Sequence, residues 1–211
     1  MIFAYGQPEI DYLAARDERL GAVIEQVGHV EREVDPDLFS AVTHHIIGQQ
    51  ISTKAQATVW ARFKDAFGEA TPRAVASASR EELQALGMTF RKADCILDFA
   101  RRVESGDFDL AAVATLPDAE AIEALTSLKG VGTWTAEMIL LFCLQRPDVL
   151  SEADAGIQRG MRMVYRQPRI DHAQFEAILQ RVSPCGSVAS LYFWAVSGGA
   201  LPELTDPGKA R

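Results

Sequence analysis

Apolar residues recur along most of this chain at spacings of three, four and seven positions, which is the periodicity of an amphipathic helix. In residues 8–27 the apolar positions are Ile10, Leu13, Leu20, Val23, Ile24 and Val27. This segment is therefore predicted to form one amphipathic helix. Further helical patterns run through 38–67, 91–103, 118–128, 155–165, 172–182 and 189–196.

Residues that are typical of helix starts occur between these helical patterns. Ser, Thr or Pro precedes a helical stretch near Ser52, Thr71, Ser79 and Pro117, as expected for N-terminal capping and first-turn positions. The alternation of apolar and polar residues that marks β-strands is almost absent. The sequence therefore predicts an all-α protein, with the tail from Gly198 onward as a loose segment.

Composition adds limits to this picture. The chain has 211 residues, 48% hydrophobic and 24% charged, which is typical of a globular protein. No apolar run reaches the roughly 20 residues that a membrane span needs, and no secretory signal is recognised at the start, so a cytoplasmic protein with no membrane partner is expected. The cysteines Cys95, Cys143 and Cys185 are too few for an iron–sulfur cluster and form no metal-binding spacing.

The net charge of −8 lowers the expectation of nucleic-acid binding, but the charge is unevenly distributed. Residues 1–37 carry nine acidic residues and three arginines, whereas the remainder carries 20 acidic and 18 basic residues. The acidic segment is expected to face away from a polyanionic partner, so the charge leaves DNA open as a partner.

The stretch 125–136 predicts a helix end, a tight turn and a second helix. Gly130 and Gly132 allow backbone conformations and close approaches that other residues disfavour. The unsatisfied N–H groups and the positive dipole end of the following helix suit a phosphate, and Lys129 adds a cation. The alternative interpretation is an ordinary helix–turn–helix that is closed by glycine.

A carboxylate pair lies some twenty residues beyond this turn. Asp154 could stabilise positive charge on a group that is held beside the bound phosphate, and Glu152 is the rival carboxylate. The alternative is structural, because Ser151 and Asp154 have the spacing of a capping box for the helix that follows. The two roles are compatible.

Four motifs in order resemble the helix-hairpin-helix DNA glycosylase superfamily and, within it, the 3-methyladenine DNA glycosylase II family. They are Ile47-Gly48-Gln49-Gln50-Ile51-Ser52-x-Lys54-Ala55, Gly87-Met88-Thr89-x-Arg91-Lys92-Ala93, Leu128-Lys129-Gly130-Val131-Gly132-Thr133-Trp134-Thr135-Ala136 and Ser151-Glu152-Ala153-Asp154-Ala155-Gly156-Ile157. The resemblance covers roughly residues 35–197. It implies an all-α, two-lobed helix-hairpin-helix fold, with one lobe at 35–143, the other combining 1–34 with 144–211, and the active site in the cleft between them.

The resemblance also implies roles for individual residues. Asp154 matches the catalytic aspartate, and Trp134 matches a residue that lines the base pocket. Met138 is four positions further along the same predicted helix face, so its side chain could form part of the same wall. The residues implied to contact DNA are Gln49, Gln50, Ile51, Ser52, Arg91, Lys92, Lys129, Gly130, Val131, Gly132 and Thr133. Within this set, Gln49, Gln50 and Ile51 all remain candidates for the side chain that fills the gap left by an extruded base. The carbonyls of Leu128 and Val131 would share a monovalent cation with the DNA; no other cofactor is implied.

Trp134 separates two chemistries. Members of the superfamily that cleave the strand through a Schiff base carry a lysine at this position, so Trp134 implies a monofunctional glycosylase. An aromatic face also suits a cationic methylated base. The implied function is excision of alkylated bases (the 3-methyladenine and 7-methylguanine class) from double-stranded DNA by a monomeric enzyme of base excision repair.

Two other functions remain open. One is a glycosylase for mismatched or oxidised bases, and the other is a non-catalytic DNA-binding module that keeps the hairpin. The chain departs from the family at Cys185 and Gly186, where members usually have an aromatic residue and an arginine. This departure implies a roomier pocket.

Overall fold

The computed structural model describes residues 1–68 and 70–209. Over these residues the regular structure is helical, apart from one isolated antiparallel bridge between Ile2 and Glu33. The helices are α1 Gln7–Arg16, α2 Glu18–Val27, α3 Leu38–Gly48, α4 Thr53–Phe67, α5 Pro72–Ala76, α6 Arg80–Ala85, α7 Phe90–Ser105, α8 Leu110–Thr115, α9 Asp118–Thr126, α10 Thr133–Phe142, α11 Ala155–Tyr165, α12 His172–Val182 and α13 Gly186–Ser197. The predicted all-α class is confirmed. In the described part of the chain, no helix is both long and apolar enough to cross a membrane.

The chain divides into two compact units. The terminal unit comprises residues 1–34 and 145–211, and the central unit comprises residues 35–144. The lobes implied by the resemblance have their boundary one residue earlier, after residue 143. The terminal unit contains α1, α2 and α11 to α13, and the central unit contains α3 to α10.

Helix α7 is the main support of the central unit. It packs against α3, α5 and α6, and its apolar face buries Ile96, Phe99 and Ala100 almost completely. The ring of Phe99 stacks on Phe39 of α3, with 4.9 Å between the ring centroids. Helix α10 packs against α9 and α3. The loop before α4 and the turn before α10 are therefore attached to helices of the same hydrophobic core.

Helices α11 and α13 form the central contact of the terminal unit, and α2 packs against both of them. Gly160 of α11 lies directly on the backbone of α13, because a Cβ atom at this position would be 2.1 Å from the carbonyl oxygen of Phe193. Tyr192 and Phe193 are fully buried. This contact fixes the middle of α11 against α13.

The single helix predicted over residues 8–27 is wrong. The structure has two helices that meet at Asp17, whose backbone is extended (φ −139°, ψ 98°) and whose carboxylate caps α2 by accepting from the Leu20 N–H. The same carboxylate accepts from the Tyr165 hydroxyl and the Arg181 guanidinium, at 2.8 and 3.0 Å. Apolar periodicity continues across the break, so the pattern alone does not reveal it.

The prediction of a loose tail is also wrong for the described residues beyond Gly198. Leu201 is buried, and residues 207–209 form a 3₁₀ turn. Asp206 accepts two hydrogen bonds from Arg162 of α11, at 3.0 and 2.7 Å, and only 3% of its side chain is exposed. This ion pair holds the pKa of Asp206 below its usual value. The tail is therefore fastened to α11.

Candidate functional site

The predicted hairpin is present in the central unit. Helix α9 ends at Thr126, the turn follows, and α10 begins at Thr133. Leu128 is buried, and its carbonyl accepts from the Val131 N–H at 3.1 Å, which closes the turn. Gly130 has a positive φ of 84°, a conformation that favours glycine. A Cβ atom at this position would also lie 3.0 Å from the Cys95 sulfur of α7.

Gly132 has a different role in the hairpin. It is the N-cap of α10, and it provides no side-chain cap to the N–H groups of the first turn. A Cβ atom at this position would meet no protein atom within 4 Å, so packing within the protein does not require a glycine there. Gly132 and Thr133 are both exposed. The start of α10 is thus an exposed, positively polarised helix end that an external anion can approach closely.

Lys129 stands beside this helix end with 70% of its side chain exposed. Its amine pairs with Asp98 of α7 at 2.5 Å. An exposed pair of this kind contributes little to stability, so the amine can exchange this partner for a phosphate at low cost. The Leu128 carbonyl keeps a second lone pair beyond its bond to Val131, so it could still bind a cation, and backbone carbonyls are suitable ligands for a hard ion.

The loop at residues 49–52 joins α3 to α4. Gln50 has a positive φ of 57°, and both Gln50 and Ile51 are exposed, Ile51 by 40%. Ser52 caps α4 through its hydroxyl, which accepts from the Ala55 N–H. A positive φ at a residue other than glycine is uncommon and is often found at binding sites, which favours a role of this loop in contact with another molecule.

Arg91 and Lys92, at the start of α7, have different environments. Arg91 is exposed. The Lys92 amine donates to the carbonyls of Ile47 and Gln49, at 2.8 and 2.6 Å, where it caps the C-terminal end of α3. Burial lowers the pKa of Lys92. The Lys92 amine therefore connects the start of α7 to the end of α3, whereas Arg91 is exposed to solvent.

Asp154 is the N-cap of α11 in the terminal unit. Its Oδ1 atom accepts from the Ile157 N–H at 2.8 Å, and only 7% of the residue is exposed. The helix cap is therefore Asp154 itself and not Ser151, as the capping-box interpretation required. Capping and catalysis can both belong to Asp154, since the Ile157 N–H that it caps also holds its carboxylate in a fixed position.

Trp194 of α13 is a second partner of Asp154 that the sequence pattern does not single out. Its indole N–H donates to Asp154 Oδ1 at 2.8 Å, so the indole and the Ile157 N–H hold the same oxygen. Gly156 makes this approach possible, because a Cβ atom there would lie 2.7 Å from Trp194 Cδ1. The carboxylate is thus fixed by two helices. Asp154 and Trp194 are 40 positions apart in the sequence, so no local motif predicts this hydrogen bond.

Glu152, the rival carboxylate, has an open environment. It is paired with His172 at 2.9 Å, and 43% of the Glu152 side chain and 74% of the His172 side chain are exposed. The hydrogen bond and the charge of Glu152 raise the pKa of His172. A solvated ion pair is a weak electrostatic device compared with a buried, oriented carboxylate. Of the two residues, Asp154 has the environment that suits catalysis.

The two predicted pocket residues of α10 differ in exposure. Trp134 is 41% exposed, which is unusual for a tryptophan, whereas Met138, one turn along the helix, is 3% exposed. Trp134 therefore offers an accessible aromatic surface two residues after Gly132. Met138 is packed among other side chains.

Residues 43–185 match the HhH-GPD superfamily of base excision DNA repair proteins. The chain belongs to this superfamily. The match includes the 49–52 loop, the start of α7, the hairpin and Asp154. The sequence-based assignment to the helix-hairpin-helix DNA glycosylases is confirmed.

Individual HhH-GPD proteins are similar to this chain over most of its length. DNA-3-methyladenine glycosylase 1 of Schizosaccharomyces pombe is 29% identical over 208 residues, which are 95% of this chain and 90% of that protein. The crystal structure of a DNA-3-methyladenine glycosidase from Bacillus halodurans is 33% identical, with a TM-score of 0.85 over 96% of this chain and 95% of its own. The structure of 3-methyladenine DNA glycosylase from S. pombe in complex with abasic DNA is 27% identical, with a TM-score of 0.80 over 91% and 97% of the two chains.

The departure from the HhH-GPD pattern at Cys185 and Gly186 has a packing explanation. Gly186 is buried, and its N–H donates to Asp148 Oδ1 at 3.0 Å. A Cβ atom at this position would lie 2.7 Å from the same oxygen. Cys185 is buried as well. The close approach of Asp148 therefore accounts for the glycine at position 186, whether or not it also widens a pocket.

Substitution of Trp194 by phenylalanine tests its contact with Asp154. The variant keeps an aromatic ring but loses the N–H donor, so we expect the rate of base release to fall roughly tenfold, the effect of one charge-assisted hydrogen bond. Single-turnover kinetics with saturating DNA would measure this. Trp60→Phe is the matched control, because Trp60 stacks on Phe63 in the central unit. Equal rates for both variants would contradict a positioning role for Trp194.

Proposed function

We propose that this protein is a monofunctional DNA glycosylase of base excision repair that removes alkylated purines, of the 3-methyladenine and 7-methylguanine class, from double-stranded DNA. The observation that carries the proposal is the environment of Asp154. It is a nearly buried carboxylate whose Oδ1 is fixed by the Ile157 N–H and the Trp194 indole. The S. pombe and B. halodurans relatives, which carry 3-methyladenine glycosylase names, support the same substrate class.

The chemistry requires little more than a placed carboxylate. Departure of the base breaks the C1′–N bond and leaves its electron pair on the purine, while positive charge develops on the sugar as an oxocarbenium-like species. Asp154 stabilises that charge, and a water molecule adds its oxygen at C1′ and releases one proton to the solvent, which completes the hydrolysis. A methylated purine already carries positive charge, so it is a good leaving group and needs no second acid.

The hairpin is proposed to hold the DNA backbone. Gly132, Thr133 and the N–H groups at the start of α10 would bind a phosphate, and the open space at Gly132 allows the close approach. Lys129 and the exposed Arg91 add cations. The carbonyls of Leu128 and Val131 would hold a monovalent cation, which would bridge the hairpin and the phosphate electrostatically.

Trp134 would form a wall of the base pocket, where its ring face attracts a cationic base. Met138 is buried, so its side chain would support the pocket wall from behind. No lysine stands at position 134, so this position supplies no amine for a Schiff base, and the reaction ends at the abasic site. Action as a monomer and a cytoplasmic location complete the proposal.

Base release from methylated duplex DNA tests the substrate class. We expect free 3-methyladenine and 7-methylguanine to accumulate without strand cleavage, and borohydride to trap no covalent adduct, since no Schiff base forms. Parallel reactions with mismatched and oxidised duplexes serve as the comparison. Faster release from either of those substrates would overturn the alkylated-base assignment, and a trapped adduct would overturn the monofunctional assignment.

A further inference from the structure

Gln49 makes a contact that differs from those of its neighbours in the 49–52 loop. Its side-chain Nε2 donates to the carbonyl of Gly130 at 2.6 Å, across 81 residues of sequence. Gln49 is half-buried, whereas Gln50 and Ile51 are exposed. The amide of Gln49 is therefore directed at the hairpin, and the two residues after it form the exposed tip of the loop.

Helix α7 supports both elements from one face. Lys92 donates to the carbonyls of Ile47 and Gln49 at the start of the loop. One turn further on, Cys95 lies against Gly130, and Asp98 another turn on pairs with Lys129 of the hairpin. Positions three residues apart share a helix face, so α7 holds the loop and the hairpin at neighbouring points. The hydrogen bond from Gln49 to Gly130 joins the loop directly to the hairpin, so that α7, the loop and the hairpin each contact the other two.

We propose that Gln49 is a positioning residue that ties the loop to the hairpin, so that the exposed tip at Gln50 and Ile51 and the phosphate-binding turn meet DNA at a preset separation. This proposal rests on the proposed function, because it assumes that both elements contact DNA. A free enzyme with both elements already placed loses less conformational freedom on binding than one that must order them. Lys92, half-buried under the loop, is a second contact that holds the same arrangement.

The competing role for Gln49 is direct insertion into DNA. Insertion would require the amide to leave the Gly130 carbonyl, so the bond would contribute nothing to the bound state. The two roles differ in the protein without DNA. A tie restrains the hairpin in the free protein, whereas a residue that only inserts into DNA leaves the hairpin unchanged when it is replaced.

The test is Gln49→Met, which is close to glutamine in size and lacks the N–H donor. We expect backbone order parameters at residues 129–132 of the free protein, from ¹⁵N relaxation, to fall from about 0.85 toward about 0.6. Affinity for duplex DNA should fall about fivefold, as for one net hydrogen bond. The melting temperature should stay close to that of the wild type. Gln26→Met is the matched control, because the Gln26 amide donates to Ala22 within its own helix.

Gln50→Ala distinguishes the role of the exposed loop tip from the role of the Gln49–Gly130 hydrogen bond. It should weaken DNA affinity and leave the order parameters of residues 129–132 unchanged. Unchanged order parameters in Gln49→Met would overturn the proposal, whatever happens to DNA binding. Relaxation is measured without DNA or substrate, so failure of the tie is distinguishable from failure of the proposed function, which would appear as a wild-type protein that releases no base.

Discussion

Replacement of Asp154 by asparagine is expected to reduce the release of 3-methyladenine by a factor on the order of 10²–10³ or more, the range seen when one preorganised electrostatic group is removed from an active site. Asparagine keeps an oxygen that can accept from the Ile157 N–H and the Trp194 indole. It lacks the negative charge that offsets the oxocarbenium-like sugar. Single-turnover assays on methylated duplex DNA measure the loss.

The same substitution should leave folding and DNA binding nearly intact. Asparagine is as good an N-cap as aspartate, so the melting temperature should change little. Glu152→Gln is the matched control, since Glu152 is an exposed carboxylate two residues away that pairs with His172. Equal rates for wild type and Asp154→Asn would remove Asp154 as the catalytic residue. If neither protein releases a base while both bind DNA, the chain is a binding module.

Gly160→Ala is expected to give the largest loss of stability. The added methyl group would lie 2.1 Å from the carbonyl oxygen of Phe193 and 2.6 Å from its carbonyl carbon. These are backbone atoms of α13, so a side-chain rotation cannot relieve the clash, and α11 and α13 must move apart. We expect the free energy of unfolding to fall by about 3 kcal/mol or more, which lowers the melting temperature by roughly 6–12 °C.

Gly132→Ala is the matched control for this experiment. Its added methyl group meets no protein atom within 4 Å, and its φ of −100° is accessible to alanine. Alanine is a poorer N-cap than glycine, so the free energy of unfolding should fall by no more than about 1 kcal/mol. Thermal denaturation in the absence of DNA compares the two variants. A Gly160→Ala protein as stable as Gly132→Ala would show that the contact between α11 and α13 can relax.

Periodicity and turn chemistry are local properties, so the sequence predicts much of the fold. The helix starts predicted at Ser52, Thr71, Ser79 and Pro117 are all N-cap positions in the structure. The hairpin was predictable because a conformation that favours glycine and a helix start lie within a few residues of each other. The break at Asp17 was missed, since the apolar pattern continues through it while the buried carboxylate gathers Tyr165 and Arg181 from distant positions.

Site chemistry was predictable only where it depends on residues close in sequence. Asp154 could be singled out by its distance from the hairpin and its place before Gly156 and Ile157. Its indole partner, Trp194, could not, because the stretch around it reads as ordinary core. Lys92 is the reverse case. Its charge and position predict a phosphate contact, but they do not reveal that its amine donates to the carbonyls of Ile47 and Gln49.

The sequence by itself determined the helical class, the hairpin with its two glycines, the carboxylate of Asp154 and the absence of a lysine at Trp134. Each of these depends on a residue type or on a spacing of a few positions. Only the tertiary structure decided which donors orient Asp154, which small residues are required by close packing, and that Gln49 is directed at Gly130. Apart from the Ile157 N–H, those contacts join residues that are 33 to 81 positions apart. Helix packing creates these contacts, and a local sequence pattern does not predict which distant side chains the packing brings together.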